Sequence, residues 1–163
     1  MVYFDLDGVL RDLCGAAGIE PETYDCKVGP FGQSFMDFFG ANPELLLTAK
    51  PTEYLHIADF YHKYISKITI LTNQVESWKS SAVEWVNTYF KDDIPEVIFA
   101  KSKLAYLSSE KDLLIEDDPN LSDYSQVMLI DRSYNRNITL PHQRIRSPRL
   151  LIRELLRRQY GLK

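Results

Sequence analysis

Five short apolar runs punctuate the chain: VYFDL at 2–6, KITILT at 67–72, EVIFA at 96–100, DLLIED at 112–117 and QVMLID at 126–131. All are short and rich in β-branched or aliphatic residues, which marks strands rather than helices. Most are near-continuous in apolar character, and strands of that kind need cover on both faces. Helical patterns lie between them. Residues 52–65 bring Leu55, Ala58, Tyr61 and Ile65 to one face, and residues 76–90 bring Trp78, Ala82, Trp85, Val86 and Tyr89 to another. A brief helix is expected over 104–108. A C-terminal one is expected over 148–159, with Pro148 near its first turn and Gly161 past its end. The alternation predicts an α/β fold, a three-layer parallel sheet.

In open parallel sheets, ligands bind beyond the carboxyl ends of the strands. The polar residues expected there are Asp5 and Asp7, then Thr72 and Asn73, then Glu116, Asp117 and Asp118, and finally Asp131. Asp5 and Asp7 pose a physical problem. Two carboxylates about 5 Å apart repel by roughly 3 kcal/mol at an effective dielectric of about 20. They also follow a strand that reads as buried, where charges need partners. A divalent cation held by acids from two strand ends would relieve the repulsion. Magnesium suits such a site, because it accepts one or two carboxylates together with waters and phosphate oxygens. Beside it, Asp5 has the chemistry of a nucleophile and Asp7 that of an acid/base. Thr72 offers a hydroxyl and a backbone amide to a phosphate, and a lysine, Lys101 or Lys103, precedes the acidic strand. Gly8 lets the backbone turn sharply behind the pair.

About forty residues interrupt the alternation after the first strand. The expected organisation is a core made of 1–10 and 51–163, with a small cap at 11–50. Structureless loops of such length are uncommon and often functional. This one carries Gly29, Gly32 and Gly40 around Phe31, Phe35, Met36, Phe38 and Phe39. It reads as a partly helical lid over the strand ends, its aromatics forming a small core of their own rather than a platform for stacking a base.

DLDGV at 5–9 resembles the first motif of the haloacid dehalogenase superfamily, and ILTN at 70–73 resembles the second. Lys103 is placed like the third-motif lysine, and LLIEDDPN at 113–120 is similar to the fourth motif. The resemblance implies a Rossmann-like sheet and a magnesium-dependent phosphomonoesterase working through an aspartyl-phosphate. In that reading Asp5 is the nucleophile and a metal ligand. Asp7 is the general acid/base and gives its backbone carbonyl to the metal. Thr72, Asn73 and Lys103 hold the phosphate, and Asp117 completes the metal set; a shifted register would assign Asp118 instead. Within the superfamily, DLDGVLRD, LLIEDDPN and LIDRSYNR resemble the 5′(3′)-deoxyribonucleotidases, which implies a (deoxy)nucleotide 5′- or 3′-monophosphate as substrate. Two departures accompany this: the cap is shorter than is common there, and the fourth motif reads IEDD where IDD is usual.

Other functions keep the same residues. The substrate could instead be a nucleic-acid 3′ end or a sugar phosphate. A phosphate-binding module or a receiver-like signalling domain would dispense with turnover. Receivers, however, put the acid pair and the accepting aspartate on different strands with lysine last, whereas here DLD comes first and Lys103 precedes the final acids.

The length of 163 residues fits one domain. A net charge of −4 disfavours general affinity for nucleic-acid backbones. No apolar run approaches the roughly 20 residues of a membrane span. The charged DLDG segment begins at once, so no secretory signal is expected and the chain reads as soluble and cytoplasmic. Cys14 and Cys26 read as thiols in a reducing compartment. Arg149, Arg153 and Arg157 recur opposite Leu151, Leu155 and Leu156, as on a solvated helix face, whereas Arg144 and Arg146 stay open. His56 and His62 read as structural, and His142 has no evident metal partner.

Overall fold

The computed structural model describes residues 1–19, 34–136 and 144–162. Six strands form one sheet: β1 (Val2–Phe4), β2 (Ile68–Thr72), β3 (Glu96–Phe99), β4 (Leu113–Glu116), β5 (Val127–Ile130) and β6 (Arg144–Ile145). All are parallel, in the order β3-β2-β1-β4-β5-β6. β1 is central, with Val2 opposite Ile68 on one side and Leu113 on the other. The interior strands β2, β4 and β5 are buried at every position, and the edge strand β3 is only half-buried. Such burial is why the interior strands read as continuous apolar runs. β1 is assigned to Phe4 rather than Leu6, but Asp5 still donates its N–H to the Ile115 carbonyl at 2.9 Å. The strand direction therefore persists to the first aspartate.

Helices α1 (Leu13–Ala16), α2 (Phe35–Ala41) and α3 (Glu44–Thr48) follow β1, and α4 (Leu55–Tyr64) precedes β2. Next come α5 (Lys79–Phe90), entered through a one-turn 3-10 segment at Glu76–Trp78, and α6 (Pro148–Tyr160) at the end of the chain. The main core joins Phe4, Ile70, Ile115 and Met128 of the sheet to Leu55, Ala58 and Tyr61 of α4. Trp85 and Val86 of α5 and Leu151 and Leu155 of α6 complete it. The opposite face carries Leu71, Leu114 and Val127, and what covers it is lighter. Leu107 and Leu121 pack there, at or just after the 3-10 turns Lys103–Tyr106 and Pro119–Leu121. The third layer is thus built of single turns between β3, β4 and β5. That economy brings Lys103 and the residues after Glu116 close to the strand ends.

The insert has its own small core. Leu13, Phe39, Leu46 and Ala49 are buried together against Trp78. Phe39 meets the rings of Phe35 and Trp78 edge-on at 4.8 and 5.9 Å, an arrangement that aromatic quadrupoles favour. The two linkers to the sheet bond to each other: the Asp12 N–H donates to Lys50 O at 2.9 Å and the Thr52 N–H to Leu10 O at 2.8 Å. Trp85 Nε1 donates to Ala49 O at 2.7 Å. The described part of the insert therefore leans on α5 beside the end of β2. Gly29, Gly32, Phe31, Cys26 and His142 lie outside the described residues.

β6 has no signal in the sequence, since two residues show no periodicity. It is held by the Asp131 N–H on Ile145 O at 2.8 Å, and by Arg144, whose guanidinium donates to Asp131 and Asn135 at 2.9 and 2.7 Å. Arg144 is thereby structural. α6 starts where expected, with the Ser147 hydroxyl accepting from the Leu150 N–H, and stops at Gly161 in the left-handed region. Its Arg149, Arg153 and Arg157 face solvent. His62 is buried: its Nδ1 accepts from the Ile68 N–H at 3.0 Å, and Nε2 lies 3.2 Å from Asp93. No helix among the described residues is long and apolar enough to cross a membrane.

Candidate active site

The strand order reverses at β1, whose neighbours are β2 and β4, and a crevice opens outside the carboxyl ends at such a switch point. Asp5 follows β1 there, Glu116 ends β4, and Asp117 comes next. One carboxylate oxygen from each of the three lies within 4.8 Å of the others. A cavity of about 230 Å³ opens over them, lined by Asp5, Asp7, Lys103, Glu116, Asp117 and Tyr134, with 118–120 at its rim.

Lys103 starts its 3-10 turn and reaches into the cluster. Its Nζ is 2.8 Å from Asp5 Oδ1 and 2.6 Å from Glu116 Oε2, all three side chains being at least nine-tenths buried. The contact to Glu116 is a hydrogen bond. The contact to Asp5 is a close ion pair whose angle leaves Oδ1 without a good hydrogen bond. Glu116 is tied down further, its Oε1 accepting from the N–H groups of Asp117 and Asp118 at 3.0 and 3.1 Å. It acts as the anchor of Lys103. Asp118 is exposed at the cavity rim, outside the three-carboxylate cluster, and accepts from the Asn120 N–H to cap the next turn. Lys101 is likewise exposed. Of the two open alternatives, the cluster contains Lys103 and Asp117.

One lysine faces three carboxylates. Burial pushes the Asp5 carboxyl up to about 8, with Glu116 adding to the shift and Lys103 opposing it. Burial likewise lifts Asp117 to about 6, helped by Asp5, and raises Glu116 against the pull of Lys103. Burial works to lower the Lys103 ammonium, but Asp5 and Glu116 outweigh it and hold it above the usual lysine range. The site therefore has an excess of buried negative charge. Clustered oxygen donors with that excess fit a hard divalent cation, which would neutralise them.

Gly8 is required where it stands. Its φ is +77°, and a Cβ there would collide with the Asp117 carboxylate, 2.6 Å from Cγ and 3.0 Å from the Tyr134 hydroxyl. The glycine lets the turn after Asp7 pass against Asp117. Residues not singled out in the sequence buttress this turn. The Tyr134 hydroxyl donates to Asp117 Oδ2. Asn135 Nδ2 donates to Asp117 O and Ile130 O, both at 2.9 Å. Arg132 Nε donates to Gly8 O at 2.8 Å. All three sit in LIDRSYNR, directly after β5.

Asp7 lines the same cavity with both oxygens engaged: Arg11 Nε donates to Oδ1 at 2.6 Å and Gln74 Nε2 to Oδ2 at 2.6 Å. Thr72 is buried at the end of β2, and its Oγ1 accepts from Gln74 Nε2 at 3.0 Å. Asn73 is exposed next to it. Neither lines the acidic cavity, so of the expected set the structure gathers Asp5, Asp7, Lys103 and Asp117 around it and leaves Thr72 and Asn73 beyond its walls. A second cavity of about 290 Å³ shares Tyr134 with the first and is bounded by Gly8, Asp12, Thr52, Glu53 and Arg132.

No protein-family model matches the chain, and no curated protein matches it. Among solved structures it is similar to the "putative beta-phosphoglucomutase from Thermotoga maritima", with a TM-score of 0.56 and 13% identity over 95% of this chain and 97% of that one. At that identity the likeness speaks to the fold alone, a Rossmann-like α/β fold with an all-parallel six-stranded sheet.

Proposed function

We propose that the protein is a magnesium-dependent phosphomonoesterase acting through an aspartyl-phosphate. The observation that carries this reading is the acidic cluster at the switch point, where Asp5 and Glu116 pair with Lys103 and the Asp117 carboxylate lies within 4.8 Å of theirs. Asp5, Asp117 and the Asp7 backbone carbonyl would hold the cation, which supplies charge neutralisation for the phosphoryl group.

An Asp5 carboxylate oxygen attacks phosphorus as the bond to the leaving oxygen breaks, and Asp7 delivers a proton to that oxygen. In the second half, Asp7 takes a proton from water, the water oxygen attacks phosphorus, and the bond to Asp5 breaks to release phosphate. Lys103 offsets charge on Asp5 and on the transferred group, and Thr72 and Asn73 bind phosphate oxygens once the substrate fills the strand ends. The adjoining cavity offers room for the leaving group.

A small phosphate ester fits two adjoining cavities of this size better than a polymer does. A (deoxy)nucleotide monophosphate is the substrate favoured by the resemblance of DLDGVLRD and LIDRSYNR. The structural neighbour's description adds sugar phosphates to the panel to be tried. A receiver-like role is disfavoured, because receivers run 2-1-3-4-5 and this sheet runs β3-β2-β1-β4-β5-β6. The test is phosphate release from 5′- and 3′-mononucleotides, sugar phosphates and 3′-phosphorylated oligonucleotides with magnesium, beside the Asp5→Asn variant. Equal release by both proteins on every substrate would remove Asp5 as nucleophile.

A further inference from the structure

Arg11 is completely buried, yet its position in the chain is the first residue of the insert. A guanidinium in such a place must be held by specific partners. Its Nε donates to Asp7 Oδ1 at 2.6 Å and its NH1 to the Leu46 carbonyl of α3 at 2.9 Å. The fork is thus fixed at two points and cannot rotate without losing one. Gln74, two residues beyond Thr72, closes on the other side of Asp7: its Nε2 donates to Oδ2 at 2.6 Å. The orientation of the Gln74 amide follows from its neighbours, since the reverse would set its oxygen against the Asp7 carboxylate. Two buried atoms of this clamp, Arg11 NH2 and Gln74 Oε1, have no hydrogen-bond partner. An arrangement serving stability alone would not retain them.

We propose that Arg11 and Gln74 are positioning residues for Asp7, fixing the one rotamer from which its carboxylate serves the leaving oxygen. This rests on reading Asp7 as the proton carrier. Neither residue reaches the reacting atoms, so each acts through Asp7. The consequence is selective: loss of the clamp impairs transfer to leaving groups that need a proton and spares those that depart as stable anions.

The experiment compares kcat/KM, which reports the step that forms phospho-Asp5, for phenyl phosphate and 2,4-dinitrophenyl phosphate in the magnesium-loaded enzyme. Asp7→Asn is expected to lower the phenyl value by about 10²–10⁴-fold and the dinitrophenyl value far less. Gln74→Ala and Arg11→Lys are expected to repeat that selectivity more mildly, with about a tenfold loss on phenyl phosphate alone. Combined with Asp7→Asn, they are expected to add nothing. Replacing the buried Arg11 can prevent folding, in which case half-buried Gln74 carries the test. Equal losses on both substrates, or losses that persist on the Asp7→Asn background, would overturn the proposal. An unchanged substrate ratio in Asp7→Asn would overturn the reading of Asp7 itself, and this proposal with it.

Discussion

Replacing Lys103 with methionine removes the cation that, among the described residues, pairs with Asp5 and Glu116, while nearly keeping its volume. At 2.8 and 2.6 Å, the two ion pairs of Lys103 are each worth about 6 kcal/mol of gross attraction at an effective dielectric of about 20. Most of this offsets the burial of the charges, and breaking a buried pair has a net effect of about 3–5 kcal/mol. For a chain of this size that corresponds to a melting temperature about 6–20 °C lower. The loss depends on pH, because Asp5 and Glu116 can escape it by taking up protons. Lys103→Met is therefore expected to melt well below wild type near pH 8, and much closer to it near pH 5. The assay is thermal unfolding in chelator across that range. Equal melting temperatures at pH 8, or a gap independent of pH, would refute the claim that Lys103 offsets the charge of these carboxylates as they ionise.

Gly8→Ala places a Cβ against Asp117 at a φ of +77°. A strained backbone of this kind costs about 1–3 kcal/mol, so a lower melting temperature and lost phosphate release are expected, and wild-type behaviour in both would count against the close packing. Metal-free wild type should lose stability as pH rises. Burial lifts Asp5 to about 8 and Asp117 to about 6. Between the unfolded carboxylate range, about 4, and those values, the folded state binds more protons, so the slope is negative. Their contribution is full below pH 4 and gone above about 8; melting in chelator should show the decline and magnesium should flatten it, whereas a rise with pH in chelator would contradict the assignment.

The elements legible in the sequence were those with a pattern long enough to repeat. Five of the six strands and the helices α4, α5 and α6 have apolar periods that the sheet and its main core require. β6 did not, because two residues paired through Arg144 and Asp131 leave no periodicity. The light third layer was half visible: the brief helix expected over 104–108 is the 3-10 turn Lys103–Tyr106, whereas the turn Pro119–Leu121 is too short to show a period. At the site, the acids were visible as charges at the ends of apolar runs. The choice between Lys101 and Lys103, or Asp117 and Asp118, was not, because it depends on which way a turn faces. Glu116 as an anchor for Lys103 was open to inference, being a charge inside a buried strand. Tyr134, Asn135 and Gln74 act through geometry alone and carry no composition signal. Arg11 carried one in hindsight only: it is a lone cation four residues after Asp7, and its burial is set by α3, far along the chain.

Chemical trapping of the intermediate tests the central claim most directly. Magnesium-loaded enzyme turning over an aryl phosphate would be quenched in acid, reduced with borohydride, which attacks aspartyl-phosphates, and mapped by peptide mass spectrometry. The account predicts modification at Asp5 alone, dependent on magnesium and absent from Asp5→Asn, which should also be inactive. Turnover by Asp5→Asn at the wild-type rate, or trapping at any other residue, would contradict it.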